Sequence, residues 1–150
     1  MPSTVAAGTA GMDAVKQALD AIFAHPNVAP FVSKQLIQRL VTSNPSPAYV
    51  GRVAARFADN GSGVRGDMQA VIRAILLDDE ARADPSCTST GKLREPVVRF
   101  TGWARGFGAA SDSGNWAIGE TSSSTNRLAQ SMERSASVFN FFRPGYTPPN

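Results

Sequence analysis

Between Met12 and Phe23 the apolar residues Met12, Val15, Leu19, Ile22 and Phe23 recur every three or four positions, with Lys16, Gln17 and Asp20 off that line. The spacing predicts an amphipathic helix with one buried face. His25 and Pro26 stop it, because proline disfavours helix in the residue before it. A second helix is predicted from about Pro30 to Thr42, with the proline in its first turn and a wide apolar face of Val32, Leu36, Ile37, Leu40 and Val41. Asn44 and Pro45 close it. Ser46 has the chemistry of an N-cap and Pro47 that of a first helical residue, so a third helix starts there and buries Tyr49, Val50, Val53, Ala54 and Phe57. The stretch from Asp59 to Asp67 reads as a glycine-rich turn. Asp67 then caps a fourth helix whose inner face is Met68, Val71, Ile72, Ile75 and Leu76. Asp78 and Arg82 are spaced for a helical ion pair in the favourable acid-first order.

The second half is patterned more weakly. Residues 83 to 91 form a polar loop containing Cys87. A fifth helix starts near Glu95 and Pro96 and carries Val97, Phe100, Ala104 and Phe107, with Glu95 and Arg99 spaced by four and Gly106 and Gly108 ending it. Residues 109 to 125 are rich in Ser, Gly and Thr and long enough for a mobile or partner-ordered loop. A shorter helix is expected around Asn126 to Glu133, followed by a segment dense in aromatics from Ser137 to Tyr146. No stretch alternates with a period of two. The sequence therefore predicts an all-α protein: a compact bundle of five to six short helices with a long Ser/Gly-rich loop and an aromatic carboxy-terminal segment. Residues 1–11 read as a disordered lead and residues 12–150 as a single α-helical domain.

Composition narrows the class. The 150 residues are 42% apolar and 18% charged, which is globular rather than disordered composition. No run approaches the roughly 20 apolar residues of a membrane span. Residues 1–11 have neither the basic region nor the apolar core of a secretory signal, which leaves localisation open. The single cysteine, Cys87, excludes an internal disulfide and a thiolate zinc site made by this chain alone. The net charge of +3 is unevenly placed. Eight basic residues balance eight acidic ones up to Thr90, and seven face four beyond it. Arginine outnumbers lysine twelve to three, which suits internal ion pairs or planar anions better than simple solvation. Neither a basic stripe nor alternation of aromatic and basic residues is present, so no nucleic-acid partner is expected.

Candidate chemistry is sparse. His25 is the only histidine, and its place between a helix end and Pro26 suits a turn hydrogen bond. The Asp59–Asp67 loop resembles a calcium loop only superficially, because Gly61 and Gly63 fall where ligands are needed and Ala70 where the final glutamate belongs. Asp78, Asp79 and Glu80 are neighbours and do not converge on one ion if helical; Asp78 and Asp79 are expected to pair with Arg82. The strongest polar candidate is Lys92, Arg94 and Arg99, which flank a helix start whose free N–H groups attract anions. The aromatics Phe139, Phe141, Phe142 and Tyr146 are too many for a free tail and form a candidate interaction surface. No catalytic set, metal or cofactor is read from the sequence.

Several strings occur together in order: His25-Pro-Asn-Val-Ala-Pro-Phe31, Leu40-Val-Thr-Ser-Asn-Pro-Ser-Pro-Ala-Tyr-Val50, Gly66-Asp67 with Ala74-Ile-Leu-Leu-Asp78 and Glu80-Ala-Arg82, Gly91-Lys-Leu-Arg-Glu-Pro96, and Ser137-Val-Phe-Asn-Phe-Phe142 with Pro144-Gly-Tyr146. Over roughly residues 18 to 149 the set resembles the carboxy-terminal part of the bacterial domain of unknown function 1800 family. The resemblance implies a mostly helical fold in a longer protein, often one that looks exported, with genes often beside those of another uncharacterised family. It supplies no activity. This sequence is then expected to be a truncated copy or a piece of a longer chain. Two functions follow as expectations. One is a structural or protein-interaction module, meeting the missing amino-terminal part or a partner protein through the terminal aromatics and the 109–125 loop. The other is a ligand-binding or catalytic half-site for an anionic or carbohydrate ligand, completed by that missing part.

Overall fold

Caps and apolar periodicity set the helices, and the computed structural model describes residues 4–84, 91–143 and 145–146. Five α-helices form: α1 (Gly11–Ala24), α2 (Val28–Leu40), α3 (Pro47–Ala58), α4 (Met68–Leu77) and α5 (Pro96–Gly106), with a 3-10 turn at Glu80–Arg82 between α4 and α5. The fold is all-α, and no strand occurs among the described residues. The stretch expected to be helical from Asn126 to Glu133 instead forms turns and extended backbone. Its apolar residues are too few to bury a helical face, and Ala129 and Glu133 take left-handed conformations that no α-helix contains. Backbone contacts divide the chain into two units, Met1–Thr90 and Gly91–Asn150.

The core of the first unit lies where α2 packs on α3 and α3 on α4. Ile37, Tyr49, Val53, Val71 and Ile75 are fully buried, joined by Ala29 and Phe57. The caps that shape it are those the sequence predicts, with one addition. Ser46 Oγ accepts from the Tyr49 amide at 3.1 Å, while Asp67 Oδ1 accepts from the Gln69 and Ala70 amides at 3.0 and 3.1 Å. A capping box normally closes with an acid three residues after the cap, and α3 has Tyr49 there. Glu80 takes that part from 34 residues away: its carboxylate accepts from the Ser46 amide at 2.8 Å and from the Ser46 hydroxyl.

The Tyr49 hydroxyl donates to the Ile75 carbonyl at 2.6 Å, satisfying an acceptor that the end of α4 leaves without an intrahelical partner. Burial first, then the nearby Asp78 and Glu80 charges, push the Tyr49 phenol up to about 12. The helical pair expected between Asp78 and Arg82 does not form. α4 ends at Leu77, and Asp78 has extended backbone, so the four-residue spacing no longer stacks the two side chains. Asp78 instead receives both arms of Arg52 at 2.7 Å, and this holds its carboxyl below the usual range.

Helix α1 departs from expectation in a different way. The helix is present, but none of its residues is buried, and Met12 is 81% exposed. Only its last turn is gripped. The Phe23 ring meets Phe57 at 6.0 Å, and the Arg65 guanidinium lies over both rings at 5.5 and 5.3 Å. Arg65 also donates to the Phe23 and His25 carbonyls at 3.1 and 3.2 Å. Beside it Gly66 has φ +77, and a β-carbon there would stand 2.6 Å from the Phe23 ring. Glycine is the residue that fits both constraints.

The second unit has no buried apolar residue among those described, and α5 leaves none of its side chains buried. Val97, Phe100 and Ala104 are half-buried as a weak inner face, whereas Phe107, expected among them, is 76% exposed. What this unit buries is polar: Glu95 and Gln130, both next to the start of α5.

Candidate functional site

The start of α5 is where the second unit gathers its polar groups. Pro96 has no amide hydrogen to satisfy, and the next amide, Val97, donates to Gln130 Oε1 at 3.0 Å. A distant loop thus supplies the cap, since the Glu95 side chain makes no capping bond. The Glu95 carboxylate turns instead to the carboxy-terminal segment, accepting from Asn140 Nδ2 at 3.2 and 3.0 Å and from the Phe142 amide at 3.2 Å. That commitment explains why Glu95 does not pair with Arg99 despite their spacing. Phe142 stacks on Tyr146 with ring centres 4.2 Å apart.

The Gln130 segment is tied down in turn. Thr121 Oγ1 donates to the Gln130 carbonyl at 2.5 Å, and Ser131 Oγ donates to Glu120 Oε1 at 3.3 Å. Hydrogen bonds from Ser122, with that of Ser131, hold the Glu120 carboxyl below its ordinary range. A groove of ≈ 630 Å³ opens along these residues. Its apolar wall includes Val97, Phe100, Ile118, Leu128 and Phe141, and its charged residues are Glu120, Glu133 and Arg134. Ala129, Glu133 and Asn140 are the non-glycine residues with positive φ among those described, at +55, +59 and +67. Glu133 and Asn140 line the groove, and Ala129 lies between its lining residues Leu128 and Gln130. Outside glycine a left-handed conformation costs roughly 1–2 kcal/mol, asparagine tolerating it best.

The sequence-predicted site residues fall into two sets. Lys92 is half-buried and Arg94 and Arg99 are exposed, and none of the three lines the groove. The α5 amide nearest them is already taken by Gln130, and the Glu95 carboxylate occupies the same end of the helix. Of the aromatics, Phe141 lines the groove, Phe142 and Tyr146 stack half-buried, and Phe139 is exposed. Two features escape the sequence reading. Gln130 carries no local signal, because its importance comes from a partner 33 residues away. Trp103 did carry one. Phe100, Trp103 and Phe107 recur at helical spacing, and their rings form a ladder on α5 with centre distances of 6.3 and 5.3 Å. Trp103 is 60% exposed.

The other candidates resolve to structure. His25 Nδ1 accepts from the Asn27 amide at 3.2 Å, a turn hydrogen bond. In the glycine loop Asp59 Oδ1 accepts from the Gly61 and Gly63 amides at 2.8 and 2.9 Å, and Asn60 reaches across to Asp67 at 2.8 Å. Its oxygens therefore brace the turn rather than face a cation, and these bonds lower the Asp59 and Asp67 carboxyls. No cluster of metal-ligating side chains occurs among the described residues. Cys87 lies outside the described residues. No helix in them is long and apolar enough to cross a membrane.

An all-α architecture held by capped helix ends, with polar ties at the start of α5, defines a helical protein. Over residues 1–150 the chain matches the family model described as a protein of unknown function, DUF1800, and it belongs to that family. No curated protein and no solved structure matches it.

Proposed function

We propose that this chain is a structural or protein-interaction module of a larger bacterial protein, and that it meets its partner through exposed aromatic side chains. The observation that carries the reading is the ring ladder Phe100, Trp103 and Phe107 on α5, which turns two large aromatics outward from a helix with no buried residue. Aromatic side chains bury 150–250 Å² each, roughly, and tryptophan is prominent among the few residues that dominate binding energy at interfaces. The exposed Phe139 adds to the same kind of surface. The partner is the remainder of a longer family protein or a separate protein chain. The anionic-ligand alternative at Lys92, Arg94 and Arg99 has less support, because α5 offers its Val97 amide to Gln130.

The test is site-specific photo-crosslinking in cells that express the protein. A photoreactive residue at Trp103 is expected to give one discrete adduct that disappears when Phe107→Asp is added. The same probe at Arg82, an unrelated exposed position, should not give it. If Trp103 yields no discrete adduct, or one that Phe107→Asp leaves intact, the ridge is not the contact surface.

A further inference from the structure

We infer that residues 137–143 form a detachable strap, latched to the start of α5 by the Glu95 carboxylate, and that its release turns a half-buried aromatic run outward. The inference rests on an observation separate from the aromatic ridge of α5. Glu95 is 7% exposed, and its carboxylate accepts from Asn140 Nδ2 and from the Phe142 amide. Among the described residues, the hydrogen bonds joining 137–143 to anything but their immediate chain neighbours all end on that one carboxylate. Apolar burial adds no second hold, since no described residue of the strap is buried, Val138 is 96% exposed and Phe139 57%. A segment with one polar latch and no buried apolar contact belongs to the low-stability end of a fold, where local opening occurs without global unfolding.

Three further features agree. Glu95 is not otherwise engaged, for its side chain makes no capping bond and no cation pairs with it among the described residues. Hydrogen bonds to an ionised acceptor are the stronger kind, so the latch holds when made. Asn140 reaches it from a left-handed backbone at φ +67, a conformation that asparagine tolerates better than most residues. Opening exchanges these bonds for bonds to water, so the carboxylate is hydrated rather than stranded. What opening releases is mostly aromatic. Phe141 and Phe142, half-buried in the closed form, join the exposed Phe139, and Phe141 leaves the wall of the groove. The stack of Phe142 on Tyr146 lies within the carboxy-terminal segment itself and travels with the strap.

The test is chymotrypsin digestion of the full chain under native conditions, with cut sites and rates read by mass spectrometry. Cleavage after Phe141 and Phe142 needs an open strap, so its rate follows the open population. Glu95→Gln sets an amide donor against the donors of the strap, and Asn140→Asp sets a second carboxylate against the first. Each is expected to speed that cleavage at least tenfold while leaving cleavage after Trp103 unchanged. Combining the two changes again faces a donor with an acceptor, and cleavage should fall back towards the parent rate. Loss of packing alone would not be rescued in this way. Should Glu95→Gln fail to fold, Asn140→Asp, at an exposed position, decides by comparison with the parent chain. Unchanged cleavage in a folded single variant, an equal rise after Trp103, or a combined variant cut as fast as the single ones would overturn the assignment.

Discussion

Tyr49 shows how much one side chain settles in the first unit. It fills the centre of the core and delivers its hydroxyl to the Ile75 carbonyl, linking α3 to α4. Replacing it with phenylalanine keeps the ring but strands that carbonyl, a loss of roughly 1–2 kcal/mol. The thermal midpoint should fall by about 4–8 °C for each kcal/mol in a unit of this size. The same substitution has a pH signature. The phenol titrates at 10.0 when unperturbed and near 12 in the fold, so the folded state holds its proton more tightly. This contribution to stability is present in full below pH 10 and declines as pH rises from 10 towards 12. Unfolding midpoints measured across that interval should drop steeply for the parent chain and less steeply for Tyr49→Phe. Equal slopes would mean the hydroxyl is not held as described. Tyr49's place in the core was legible from apolar periodicity, but its hydrogen bond to a residue 26 positions away was not.

Helices in this chain were readable where their signals are local. Ser46 with Pro47, and Asp67 with the following apolar run, announce α3 and α4 because a cap and its targets lie within three residues. Position on a helix was less readable than the helix itself. The period of α1 is correct, yet Met12, Val15, Leu19 and Ile22 on the face it defines all stay exposed, since periodicity says which side is apolar and not what covers it. The Asn126–Glu133 expectation failed because local composition there was outweighed by the ties that bind Gln130 to Val97 and Thr121. The grip on α1 makes its own prediction. Gly66→Ala places a methyl group 2.6 Å from Phe23 in a left-handed backbone, and the strain alone is worth roughly 1–2 kcal/mol. In a Phe23→Ala background the clash is gone and only the strain remains. Denaturant titrations of the four chains should show a smaller penalty for Gly66→Ala when Phe23 is absent. Equal penalties would place the Phe23 ring elsewhere.

Across the whole molecule the two units are built on different principles. Residues 4–84 enclose a cluster of fully buried apolar side chains, whereas the described part of residues 91–150 buries Glu95 and Gln130 and no apolar side chain. Resistance to local opening follows buried apolar contact. Amide exchange should therefore be slowest in α3 and α4 and markedly faster in α5, a contrast that native-state hydrogen exchange reads directly. Comparable protection in α5 would show that something beyond its own contacts covers it. The acid that completes the start of α3 also sets a timetable. A ribosome releases Ser46 and the whole of α3 well before Glu80, and Asp78, which anchors Arg52, arrives only just ahead of it. Until those residues emerge, the nascent helix has Ser46 but neither distant carboxylate. The first unit is thus arranged to finish folding late, when its last short turn leaves the exit tunnel and fastens a helix made long before.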